Sequence, residues 1–202
     1  MDLMSLLQGH LTEDVVNQLS QQTGAAPEQT ATAAEGIFST LISGLAKNAS
    51  TEGGAAGILG ALNNSHDGSV LGNIMGLVTG AMQGGSATNG AGILGHVLGG
   101  NQQNAAQMLS QTSGVSQAGV MEMMIKLAPM VMGVLGQQNQ QQGGMNASGL
   151  ASMLGGAVQT QSSNPLMQMA TQFLDKNHDG SMVDDILGMV GSKLMGGLFG
   201  GK

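Results

Sequence analysis

The sequence predicts an all-α fold made of two tandem copies of one multi-helix unit. Three observations carry that expectation. Helix start and stop signals punctuate the chain, period-two strand patterns are sustained nowhere, and two stretches are near copies of one another. Residues 62 to 78 read LNNSHDGSVLGNIMGLV and residues 174 to 190 read LDKNHDGSMVDDILGMV, identical at eight of seventeen aligned positions. A second pairing sets Leu19-Ser-Gln-Gln-Thr-Gly24 against Leu109-Ser-Gln-Thr-Ser-Gly114, ninety residues on, and continues to match Leu41 with Val131 and Leu45 with Leu135. His178 follows His66 by 112 residues, so the second copy carries an insertion of about 22. The Gln-rich tract Gln137 to Gln142 and the segment Gln159 to Asn164 are its expected place. The expected units are therefore residues 1–85 and 86–202, the second with a Gln-rich insertion near 137–164. Two copies make a tandem pair; a solenoid needs more.

Each element has its own signal. Thr12 before Glu13 and Asp14 reads as a helix start, with Val15, Val16 and Leu19 on one face and Gly24 closing the helix. Pro27, Glu28 and Gln29 open a second helix whose apolar stripe is Ile37, Leu41, Ile42 and Leu45. In the second copy Gly114 ends one helix and Ser116 opens the next, which is expected to kink or restart at Pro129, where an amide hydrogen is missing. The expectation is many short helices of about 10 to 18 residues joined by Gly, Ser and Asn turns. The most apolar stretch, Leu127 to Gly136, is about half the length that spans a bilayer and reads as a buried core helix. No membrane span is expected.

Composition closes off several functions. The 202 residues include 35 Gly, 17 Met and 3 Phe, with no Trp, Tyr or Cys. Without Cys there is no disulfide, thiolate zinc site or cysteine nucleophile. The net charge of −7 rests on 12 acids and 5 Lys with no Arg, which argues against nucleic acid as a partner. Asp2 and the lack of a basic stretch after it do not read as a secretory signal, so a cytoplasmic protein is expected. Only 8% of residues are charged against about 25% in an average domain. Sparse charge favours association, so the expected partner is a second copy of the chain or another protein.

Two patterns nominate sites. Gly72, Gly76, Gly80 and Gly84 recur every four residues, and Gly188, Ser192, Gly196 and Gly200 repeat the spacing in the second copy. Each helical Gly costs about 1 kcal/mol relative to Ala, a cost that close helix packing through small residues would offset. With few aromatics, Met is the expected core filler rather than a copper or cofactor ligand. The second pattern is the repeated His-Asp-Gly-Ser. Asp175, Asn177, Asp179 and Ser181 match the opening of an EF-hand calcium loop, but Ile186 stands where the bidentate acid belongs, and Asp184 and Asp185 come early. The first copy offers only Asn63, Ser65 and Asp67. What the copies share, Asp-Gly-Ser, is a turn that starts a helix, with Ser69 and Ser181 as expected N-caps. His66 and His178 alone make an incomplete zinc site. No nucleophile elbow or phosphate loop is present, and Gly53 to Gly57 follows no strand, so no catalytic set or cofactor beyond possible calcium is expected.

Several segments in fixed order carry a family likeness: Leu45-Ala-Lys-Asn48, Gly60-Ala-Leu62 before His-Asp-Gly-Ser-Val, Gly92-Ile-Leu-Gly-His96, Leu109-Ser-Gln with Gly114, and a closing Gly-Leu-Phe-Gly. By these the chain resembles the bacterial family called domain of unknown function 937, distantly similar to the YidB-like proteins. The resemblance implies a small helical bacterial protein and assigns no activity to any residue. Members of that family often have a more acidic second loop, Asp-Gly-Asp-Gly-Ser; His178 here replaces one acid. The function expected is that of a non-enzymatic interaction protein that self-associates through Gly-striped helices, with a calcium-responsive module using 175–185 as the alternative.

Overall fold

The computed structural model describes residues 3–82 and 85–175. Its elements, in chain order, are α1 (Leu3–His10), α2 (Glu13–Thr23), α3 (Pro27–Ala49), α4 (Glu52–Asn64), a 3-10 turn (Ser69–Asn73), α5 (Ile74–Thr79), a 3-10 turn (Ser86–Thr88), α6 (Gly90–Leu98), a 3-10 turn (Gly99–Asn101), α7 (Gln102–Ser113), α8 (Gln117–Gln141), α9 (Ala147–Thr160) and α10 (Pro165–Leu174). Among the described residues there is no strand. The all-α reading therefore holds.

The expected start and stop residues do their work. Thr12 Oγ1 accepts from the Val15 amide at 3.4 Å, and Gly24 ends α2 with φ 68°. Pro27 is the first residue of α3, Ser116 caps α8 through the Gly119 amide, and Gly114 ends α7. Lengths differ from the expectation. Helices α3 and α8 run 23 and 25 residues, because both lie at the centre and are buried all round, from Gly36 to Ala46 and from Leu127 to Gly136. They pack on one another, and the shorter helices surround the pair. Most helical stability comes from such packing, which is why these two extend so far. Helix α8 is long and apolar enough to cross a membrane, yet here it is the buried centre of a bundle.

Pro129 neither breaks nor restarts α8. Its missing amide leaves the Ile125 carbonyl without the usual i+4 donor. Gly90, at the start of α6, presses directly on that carbonyl; a Cβ there would overlap it. The helix therefore runs through Pro129 without restarting, and a neighbouring helix covers the gap.

Residues from both halves of the chain form one core, from Leu3 and Phe38 through Leu154 and Leu174. Met4, Met123, Met124, Met130, Met132 and Met167 are buried in it, as space-filling side chains. Polar residues inside α3 satisfy themselves locally: Thr30, Ser39 and Thr40 donate to carbonyls four residues back at 2.8–3.0 Å. The Gln-rich stretch near 137–164 is mostly helical. Gln137 to Gln141 continue α8, and α9 buries Leu150, Leu154 and Val158 against α3 and α4.

Candidate functional site

The C-terminal end of α3, one face of α4 and α6 enclose a groove of about 630 Å³. That volume lies within the range of ligand pockets. Its walls are Leu45, Ile58, Ala61, Ile93 and Val97, with Met132 of α8 also lining it. Helix α6 approaches α3 closely because residue 44 is Gly: a Cβ there would stand 3.1 Å from the Val97 carbonyl oxygen. Asn48 Nδ2 then donates to the carbonyls of His96 and Val97 at 3.1 and 3.2 Å, fastening the end of α6 to the end of α3. On the opposite wall, Gly53 and Gly57 stand one turn apart on α4, and a Cβ on either would meet nothing within 4 Å. These glycines leave the groove open.

Its polar lining is Asn48, His66, Ser86, Asn89 and His96. His66 is 5% exposed, and its Nδ1 has no hydrogen-bond partner. Its position follows from the turn that carries it. Asp67 Oδ1 accepts from the Ser69 amide at 2.9 Å, Gly68 adopts φ 93°, and the whole turn lies on α8 at Gly133 and Gly136. A side chain at Gly136 would overlap the His66 carbonyl. Burial lowers the imidazole's pKa below its ordinary value, with the Asp67 charge opposing, so the ring is neutral at pH 7. His96, at the exposed rim, has Nδ1 2.8 Å from the Gly92 carbonyl. A carbonyl only accepts, so Nδ1 carries the hydrogen. No acid lines the groove, and no group of three or more His, Asp or Glu gathers anywhere among the described residues.

The expected sites lie elsewhere. Gly72 is in the 3-10 turn facing open space, Gly76 is in α5 against its own cap Asn73, and Gly80 ends α5 at φ 79°. The four-residue spacing thus does not put these three on one helix face, because Asn73 starts a new helix and Gly80 terminates it. Close backbone approach does occur, at Gly44, Gly90, Gly133 and Gly136. Ser69 is not the cap of its helix either; the Asp67 carboxylate and Gly68 do that work. Asp175 follows α10 and its amide donates to the Thr171 carbonyl. Gly84, Asn177, Asp179, Ser181, Asp184, Asp185, Gly188, Ser192, Gly196 and Gly200 lie outside the described residues.

A second groove of about 420 Å³ is lined by residues including Leu3, Leu6, Gln138, Met153 and Gly156. It contains no histidine. No curated protein and no solved structure matches the chain. A family model does match, over residues 5–138, a span that contains every residue of the first groove and stops short of α9. The chain belongs to the family described as bacterial proteins of unknown function, DUF937.

Proposed function

We propose that this chain is a non-enzymatic binding module that holds a small, mostly apolar molecule in the groove between α3, α4 and α6. The observation that carries the reading is the groove itself, about 630 Å³ with walls of Leu45, Ile58, Ala61, Ile93, Val97 and Met132 and a smaller polar lining of Asn48, His66, Ser86, Asn89 and His96. Three segments far apart in sequence, Leu45 to Asn48, Ala61 to His66 and Gly92 to His96, converge on this one cavity. They are among the segments that carry the family resemblance. The titratable side chains that line the groove are His66 and His96, with no acid among them.

The scaffold is read as two similar units. Support comes from α2 and α3, which have counterparts of similar length in α7 and α8 ninety residues later. The two grooves follow the same offset: Ile93, His96 and Asn48 of the first correspond to Leu3, Leu6 and Gln138 of the second. Self-association is the second reading, favoured by the sparse charge. The calcium reading of 175–185 draws no help from the first loop, where the single carboxylate serves the turn's own amide.

The test uses the neutral apolar fluorophore N-phenyl-1-naphthylamine. Saturable one-to-one enhancement is expected for the wild type, and its loss in Gly57→Leu, which fills the groove from the open wall of α4. Undiminished binding by Gly57→Leu would refute the groove as the site.

A further inference from the structure

We propose that the segment from Ser65 to Asn73 is an acid-released latch: when His66 takes up a proton, the turn lifts off α8 while the helices on either side of it stay in place. The device belongs to the fold and is independent of what the groove holds.

The ring creates the demand. A neutral imidazole has one N–H and one lone pair, whereas the protonated ring has two N–H groups and a full charge. His66 is 5% exposed, and its Nδ1 has no partner. In the charged ring that nitrogen is a buried donor without an acceptor, next to a desolvated charge. The surroundings give little relief. Asp67 follows in the chain, but it is exposed and its carboxylate is engaged with Ser69. Of the two helices packed on the turn, α5 has no titratable side chain, and the charged residues of α8, Glu122 and Lys126, pair with each other at 2.8 Å ahead of Gly133. Glu52 stands at the far end of α4, Lys47 of α3 donates to the Leu174 carbonyl, and His96 of α6 is at the exposed rim. Burial accordingly holds the ring's pKa below its ordinary value against the pull of Asp67. The charged ring is stable only in water.

The turn's construction supplies the means. Its seat is van der Waals contact: Val70 and Leu71 close on Gly133, and the His66 carbonyl lies on Gly136. Its hydrogen bonds run within itself or back to α4. The Ser65 and His66 amides donate to the Ala61 carbonyl at 3.0 and 3.1 Å, the Ser69 amide to Asp67 Oδ1, and the Leu71 amide to the Gly68 carbonyl at 3.0 Å. Leaving α8 therefore breaks none of these. Anchors stand beyond both ends. Asn139 Nδ2 donates to Asn63 Oδ1 at 2.9 Å, holding the end of α4, and Gln22 Nε2 donates to the Val78 carbonyl at 3.3 Å, holding the end of α5. Between them Ser65 and Asn73, at φ −141° and −144°, sit at the junctions with the helices and act as pivots.

The experiment exploits the absence of Cys from the chain. Val70→Cys, at a position 2% exposed, is labelled with a maleimide, and its rate is divided at each pH by that of Ser5→Cys, at an exposed position. The division cancels the pH dependence of thiol reactivity itself. The ratio should rise about tenfold from about pH 7.5 to about pH 5.5, as the lifted turn takes up its proton, and should stay level when His66→Phe is added. Leu71→Cys, which also closes on Gly133, should behave alike and serves if Val70→Cys does not fold. Leu41→Cys, in the core, should show no such rise. A ratio that is level with pH while His66 is present, or that rises equally with His66→Phe, overturns the latch. An equal rise at Leu41→Cys overturns it too, since the whole bundle would then be opening.

Discussion

His66 and Asp67 are neighbours with opposite situations, and each leaves its own mark on stability against pH. The His66 imidazole is buried, and its folded pKa lies below the ordinary 6.5. The unfolded chain therefore binds this proton first as pH falls, so the contribution of the neutral ring is whole above about 6.5 and is lost on acidification through the folded value. Asp67 is exposed; hydrogen bonds from Ser69, side chain first and backbone second, lower its pKa below 3.8. Its contribution is whole above that value and disappears only at lower pH. Melting temperature should fall between about pH 7 and about pH 5 in the wild type, and that slope should flatten in His66→Phe while the loss in stronger acid persists. An equal slope in both proteins would show that His66 protonates as freely folded as unfolded. Nothing in the local sequence announced this burial. Asp67-Gly68-Ser69 was legible as a turn, but the ring's surroundings depend on Gly133 and Gly136, some seventy residues away.

At the scale of elements, glycine has two uses in this fold, and spacing along the chain does not separate them. Gly136 and Gly90 are places where another backbone touches a helix, the His66 carbonyl in one case and the Ile125 carbonyl in the other. Gly53 and Gly57 face an open groove. The substitution to Ala distinguishes them by sign. Gly136→Ala should destabilise by about 2–3 kcal/mol, because backbone must move to admit the methyl. Gly57→Ala should stabilise by about 0.5–1 kcal/mol, since α4 gains helix propensity and nothing is displaced. Chemical denaturation of the two variants checks both, and the same sign for both would contradict the packing described. Start signals such as Thr12 and Ser116 were legible because a cap is decided within four residues. The outcome at Pro129 was not, because Gly90 belongs to a different helix. The run Gly72, Gly76, Gly80 misled for a local reason: Asn73 restarts the helix in its midst by accepting from the Gly76 amide.

For the whole molecule, the large apolar side chains at the surface are few; among the described residues only Met75 and Ile125 stand out as exposed. The low charge is thus not accompanied by a broad greasy face in the described part. If sparse charge drives association, light scattering will show a mass that rises above the monomer with concentration. A strict monomer over a wide concentration range would remove the self-association reading. The all-α class and the identity of the helix-forming stretches were readable from periodicity and caps. That α3 and α8 form a central pair was not, since a stripe such as Ile37, Leu41, Ile42 and Leu45 marks one buried face and gives no sign that Gly36, Ser39 and Ser43 are enclosed as well.

The seating of the His66 turn on Gly136, and of α6 on the carbonyl that Pro129 leaves open, has a topological corollary. The first half of the chain closes against the second, and an interface that joins two halves of one molecule is equally able to join halves of two. Exchange of halves would create a dimer that reuses the contacts between the halves. For such a protein, association would be a matter of connectivity rather than of stickiness.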